Sequence, residues 1–276
     1  MKKKIIALVL AVVILIGGIV GGTIAYLADV DSDVNVMVTG NVHIKQLEYE
    51  RVKDANGNWV VSEYTNYGYT ADAMQEFTQN KKAYPAVYRD GVQKWDDRNG
   101  ENAHQQPWIE IDAPGSNQLF DDSVRNVVDK FVFVENTGKS EAYFRTWIAI
   151  ELPESVDTNM IHLNMNNNPR YNWGGTNGAV KAVGYDEIDG QRYVIYCATH
   201  TEALQPGDVS RPSLLQVYLD PMATNAESEA FGDTWEILAF TQAVQVEGFE
   251  SADNALDTAF GNNDIDHHPW IDGIPQ

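Results

Sequence analysis

The chain carries one cysteine, Cys197, among 276 residues. An intrachain disulfide is therefore excluded, and the fold has to rest on core burial. Basic side chains are also scarce, 19 against 40 acidic ones, for a formal charge of −21. Nucleic acids and anionic membrane surfaces are recognised through clustered Lys and Arg, so neither is expected as a main partner. The sequence has no His-Glu-x-x-His helix pattern, no Gly-x-Ser-x-Gly elbow and no glycine-rich phosphate loop. Its acidic pairs Asp96-Asp97 and Asp121-Asp122 are adjacent, and neighbours do not present facing carboxylates for sugar hydrolysis. Internal repeats, low-complexity linkers and strand–helix alternation are absent as well. What is present is 43% hydrophobic and 11% aromatic residues with 21% charged, a composition that buries a core rather than staying disordered.

The one long apolar run lies at the start. Met1-Lys-Lys-Lys4 is a basic opening, Ile5 to Val20 has no charged or polar side chain, and Gly21-Gly-Thr-Ile-Ala-Tyr26 follows. This pattern describes a helical secretory leader, residues 1–25, cut between Ala25 and Tyr26 to leave an exported domain, residues 26–276. After such a cut no membrane span remains. The competing reading is an uncleaved anchor, because Ile5 to Ala28 is uncharged and long enough to cross a bilayer. Either way the rest of the chain lies outside the cytoplasm.

Beyond the leader the pattern is mostly of strands. Val34–Tyr49 reads as extended, and Asn56-Gly57 marks a hairpin. Val127–Val134 and Ala142–Ile150 are strands around an Asn136-Thr-Gly138 turn, with Phe144, Ile148 and Ile150 on one face at period two. Val183–Ile188 and Arg192–Ala198 flank Asp189-Gly190, a second hairpin. Leu214–Asp220 and Trp235–Val246 are further strands, separated by a short helical crossover that ends near Phe231. Ser251 caps a helix running to Phe260, with Gly261 as its stop. Ala71–Asn80 reads as a short helix, and the stretches 62–120 and 157–178 as loop insertions. The expected fold is all-β: a single antiparallel, jelly-roll-like sandwich with short helices.

The run from Gly21 to Asp29, followed by Val34–Ile44, resembles the leader and first strand of the TasA/camelysin family. Val132–Arg145 is similar to that family's strand–Asn-x-Gly–strand element, and Thr241–Phe249 with Ala252–Gly261 is similar to a subgroup of secreted relatives. The likeness covers about half the chain and leaves residues 50–120 unplaced. It implies a leader removed by a SipW-type signal peptidase and a jelly-roll domain on the surface or in the extracellular matrix of a Gram-positive cell. It also implies self-association into biofilm fibres, in which the freed N-terminal segment adds as a strand to the next subunit. Tyr26, Leu27, Val34, Val36 and Val38 would belong to that donor strand. The same residues also fit an ordinary first strand within their own chain, which costs less entropy.

Two other function classes follow. Camelysin relatives have been assigned as metalloendopeptidases, and a monomeric adhesin could use the Asn-rich loops or an exposed Trp173. The six histidines offer one adjacent pair, His267-His268, which point apart in an extended chain. Asp29, Asp31 and Asp33 resemble the opening of a calcium loop but lack its glycine and its closing Glu. Solvated charge is the alternative reading for both groups. Cys197, in an apolar run without a neighbouring base, reads as a buried small hydrophobe. Trp147 and Trp235 read as core. The expected protein is not an enzyme and carries no cofactor.

Overall fold

A computed structural model describes residues 28–29, 36–39, 42–51, 55–56, 74–78, 81–88, 124–165, 171–172, 174 and 181–274. The leader, Ala25, Tyr26, Leu27, Asp31, Asp33, Val34 and Trp173 lie outside the described residues. The first strands are β1 (Ala28–Asp29), β2 (Val36–Thr39), β3 (Ile44–Arg51), β4 (Met74–Glu76) and β5 (Val87–Tyr88). Next come β6 (Val124–Arg125), β7 (Val127–Asp129), β8 (Phe131–Asn136), β9 (Ala142–Glu151), β10 (Ile161–Met165) and β11 (Tyr171–Asn172). The chain continues through β12 (Ala182–Ile188), β13 (Gln191–His200), β14 (Leu214–Leu219), α1 (Asn225–Ala230), β15 (Ile237–Gln245) and α2 (Ala252–Phe260).

Two layers form. The larger is a seven-stranded sheet in the order β1-β2-β15-β9-β13-β11, with β12 also paired to β13. The other contains β4-β3-β8 and β10-β14-β7. These two parts join because β7 runs into β8 through Lys130, and both lean on the chain around β14. Lys130 N–H donates to Leu215 O at 2.9 Å, Ser213 N–H to Val132 O at 2.9 Å and Ser210 N–H to Val134 O at 2.8 Å. The fold is all-β, and every pairing between named strands is antiparallel except that of β2 with β15, which is parallel.

Period-two patterning sets the core. Phe144, Ile148 and Ile150 of β9, Val194 and Ala198 of β13 and Ala239 and Ala243 of β15 face the second layer, where Val132, Val134, Leu214 and Val217 meet them. The opposite face of the large sheet is covered too. Trp147, Tyr193, Ile195, Cys197 and Phe240 pack under Trp270 and Ile265 of the C-terminal segment, and α2 covers Val244 with Ala255 and Leu256. Both faces of β9 and β13 are buried, which explains why those strands carry continuous apolar runs rather than polar alternation.

Local signals fix the turns. Asp189 and Gly190 sit at φ of 49° and 85°, the conformation that a two-residue hairpin between β12 and β13 requires. Buried Asn136 holds the turn before β9. Its Oδ1 accepts Gly138 N–H at 3.0 Å, and its Nδ2 donates to Ser140 O at 2.8 Å and Leu204 O at 2.9 Å. Ser251 caps α2 by accepting Asn254 N–H, and Gly261 stops it at φ of 86°.

Several expectations need correction. Within the expected helix Ala71–Asn80, residues Met74–Glu76 are strand β4, because β3 offers an unpaired edge and Met74 finds Phe131 and Phe133 to pack on. That strand and β5, paired with β6, place part of the 62–120 stretch in the sheets. The 157–178 stretch contains a 3-10 turn, Thr158–Met160, and two strands, β10 on β14 and β11 on β13. Its Asn-rich composition hides Ile161, half-buried Leu163 and Tyr171, whose burial outweighs local turn preference. The sandwich is also not purely antiparallel, since β2 reaches β15 in parallel.

Candidate functional site

The N-terminal edge of the large sheet is the first site. Val36 and Val38, at 3% and 1% exposure, project into the core from β2. The strand lies along β15 with Val36 opposite Thr241 and Val38 opposite Ala243. β1 closes a hairpin on it through Ala28–Thr39 and Asp29–Val38. In the single chain, then, Val36 and Val38 occupy a place on their own β15. Asp29 stands in β1, and the two other acids of the calcium-like run, Asp31 and Asp33, lie outside the described residues.

The C-terminal clamp is the second. Arg145 projects from the outer face of β9 and is 1% exposed. Its Nε donates to Gln242 Oε1 at 2.7 Å, Nη1 reaches Asp257 Oδ1 at 3.0 Å, and Nη2 donates to Gly261 O at 3.0 Å. Gln242 Oε1 also accepts Trp147 Nε1–H at 2.9 Å, and the guanidinium lies 5.2 Å from the Trp147 ring centroid. One cation thus ties β9, β15 and the end of α2 together. Burial lowers the Arg145 pKa from its ordinary value, and it raises that of Asp257, against which the guanidinium acts. Gly261 is required twice over, by its φ and by space, since a Cβ there would stand 2.3 Å from the His267 ring.

The two histidines meet different partners, His267 standing at the end of a 3-10 turn, Ile265–His267, and His268 just after it. His267 Nδ1 meets Asp264 Oδ1 at 2.5 Å at the surface, while His268 Nε2 meets Asp186 Oδ2 at 2.8 Å. The solvated-tail reading fails for His268, which is buried beside Trp270 because the C-terminal segment folds back over β12. Among the described residues no group of three His, Cys, Asp or Glu could share a metal ion. Cys197 is fully buried, and that burial pushes its thiol pKa well up, away from thiolate chemistry. Trp147 and Trp235 are core residues. Among the described residues no helix is long and apolar enough to cross a membrane.

Three polar clusters had no sequence signal, because their members are far apart in the chain. At one end of the large sheet Tyr193 O–H donates to Glu236, whose N–H donates to Glu151 Oε2 at 3.0 Å. Burial raises the Glu151 pKa, and neighbouring Glu236 adds to that, although its backbone hydrogen bond works against it. In the second layer burial opposes ionisation of Glu50, but hydrogen bonds from Lys81, Thr78 and Gln75 outweigh it and lower its pKa. Arg51 and Asp129 form a paired contact at 2.6 and 2.8 Å, with Gln216 Nε2 on the same carboxylate at 2.7 Å.

No protein-family model, no curated protein and no solved structure matches this chain.

Proposed function

We propose that this chain is a secreted, non-enzymatic subunit of a surface or extracellular-matrix fibre, a jelly-roll-type sandwich of the TasA-like kind. A SipW-type signal peptidase cuts its leader between Ala25 and Tyr26 on a Gram-positive cell, and subunits join through the N-terminal segment. The observation that carries the reading is the position of β2. It is four residues long, lies next to the outermost strand of the large sheet, begins ten residues after the expected cut, and makes the one parallel pairing between named strands.

Val36 and Val38 fill a slot on β15 whose other walls belong to the body of the domain. Burying a valine contributes about 1.5–3 kcal/mol. The slot accepts the same segment equally well from a neighbour, because the contacts are identical. Exchange therefore conserves contact energy, and concentration decides between self-filling and filling by the next copy. Head-to-tail filling does not close on itself, so it makes a filament. The absence of a disulfide-capable pair of cysteines is consistent with a body held by the doubly covered β9 and β13.

Negative-stain electron microscopy of purified protein beginning at Tyr26 tests this. Filaments are expected to lengthen with concentration and to vanish when Tyr26–Thr39 is deleted. Monomers at every concentration, or filaments that survive the deletion, would refute it.

A further inference from the structure

The gap between the two layers holds a polar cluster that the fibre reading does not use. Lys130, at the junction of β7 and β8, has a side chain 1% exposed. Its ammonium contacts Glu48 Oε2 and stands 3.9 Å from the centroid of the Phe77 ring, which packs against the core. The second oxygen of Glu48 accepts Gln46 Nε2–H at 2.7 Å. Gln46 spans the gap: its Nε2 also donates to Ala239 O at 3.1 Å, and its Oε1 accepts the Thr241 hydroxyl at 2.6 Å.

One carboxylate therefore touches a primary amine with one oxygen and a primary carboxamide with the other. These are the parts of an acyl transfer: a nucleophile, a group that relays its proton, an acyl carbon, and a hydroxyl donor on the carbonyl oxygen. Lys130 and Gln46 are themselves buried, at 1% and 9% exposure, which limits the water that would compete as nucleophile. As a plain ion pair the arrangement does little for stability, because desolvating both charges offsets their attraction.

We propose that Lys130 and Gln46 join in an intramolecular amide cross-link, with Glu48 as the proton relay. Glu48 takes a proton from the ammonium, and the freed Nζ attacks Cδ of Gln46 to form the new C–N bond. Thr241 donates to Oε1 as negative charge gathers there. Glu48 returns the proton to Nε2, the Cδ–Nε2 bond breaks, and ammonia leaves, taking up the remaining proton from nitrogen as ammonium. No oxidant, metal or co-reactant enters the balance. Glu48, with its side chain 21% exposed, gives the leaving ammonia a route to solvent. The link would staple β3 to β8 in a chain that has no second cysteine with which to make a disulfide.

Intact mass of the purified full chain, measured against the sequence from its determined N-terminus, decides the matter. The expected result is a deficit of about 17 Da, one ammonia. A digest should then yield a branched peptide containing both Gln46 and Lys130. Lys130→Arg and Glu48→Gln are each expected to restore the full mass. A wild-type mass equal to the sequence, a deficit of about 18 Da from joining to Glu48 itself, or a deficit that persists in Lys130→Arg would overturn the proposal. If Lys130→Arg does not fold, the wild-type mass and the branched peptide decide it alone.

Discussion

The two ends of the chain are secured to the same sheet in opposite ways. The N-terminal end is held by a short backbone ladder and two inward valines at an edge. The C-terminal end is held by directional contacts made once only: the Arg145 clamp, the His268–Asp186 pair, and Trp270 set into the outer face of β9, β13 and β15. A ladder with small apolar pegs is generic, and a second copy of the segment satisfies it. A guanidinium on β9 with its donors aimed at β15 and the end of α2 is not replaceable from outside. The N-terminal end can therefore leave its place without loss of the domain, and the C-terminal end cannot.

The largest effect is expected at the clamp. Arg145→Ala strips partners from Gln242, Asp257 and Gly261 O and leaves a hole under α2, a loss of about 3–5 kcal/mol by chemical denaturation. Trp270→Ala should follow at roughly 3 kcal/mol, through the apolar surface it covers. Early amide exchange in 251–274, with the sheets still protected, would show the C-terminal segment coming away first in either variant. At the other end Val38→Ala should cost only about 1–2 kcal/mol in a thermal melt, and its filaments should come apart at lower denaturant than wild-type ones, because each junction rests on so few pegs. A comparable loss of stability at both ends would erase the distinction drawn here.

The smallest effects concern charge. Glu50 has a lowered pKa, so its contribution is present above the unfolded carboxylate value and is lost as pH falls through the folded one. Glu50→Gln should therefore destabilise at neutral pH by about 1 kcal/mol or less, since Lys81 is half exposed, with the difference fading in acid. Glu151 has a raised pKa, so the stability linked to it is present in acid and lost as pH rises through the folded value. Glu151→Gln should stabilise at neutral pH and match wild type in acid. Thermal melts from acid to neutral pH check both signs.

The parts of this fold that were legible in the sequence are those where one residue's neighbours in the chain decide its structure. The Asp189-Gly190 hairpin, the Asn136 turn, the Ser251 cap with its Gly261 stop, and the period-two strand at Phe144, Ile148 and Ile150 all have local causes. Met74–Glu76 and Ile161–Met165 did not, because a partner strand far along the chain overrides weak local preference. His268 looked solvated until the C-terminal segment folded back over β12. The Arg145 clamp and the Lys130–Glu48–Gln46 cluster were invisible for the same reason: nothing in the spacing of these residues brings them together before the sheets pair. The edge location of Val36 and Val38 was within reach of the sequence, but their parallel register on β15 was not.

The most direct test of exchange at that edge uses Val38→Cys with Ala243→Cys, positions that face each other across β2 and β15. Cys197 is fully buried and stays out of the reaction. Oxidation of concentrated protein that begins at Tyr26, followed by a non-reducing denaturing gel, should give a ladder of covalent multimers that collapses to one band on reduction. Dilute protein should instead close the link within each chain. A single intrachain-linked monomer band at all concentrations would contradict the account.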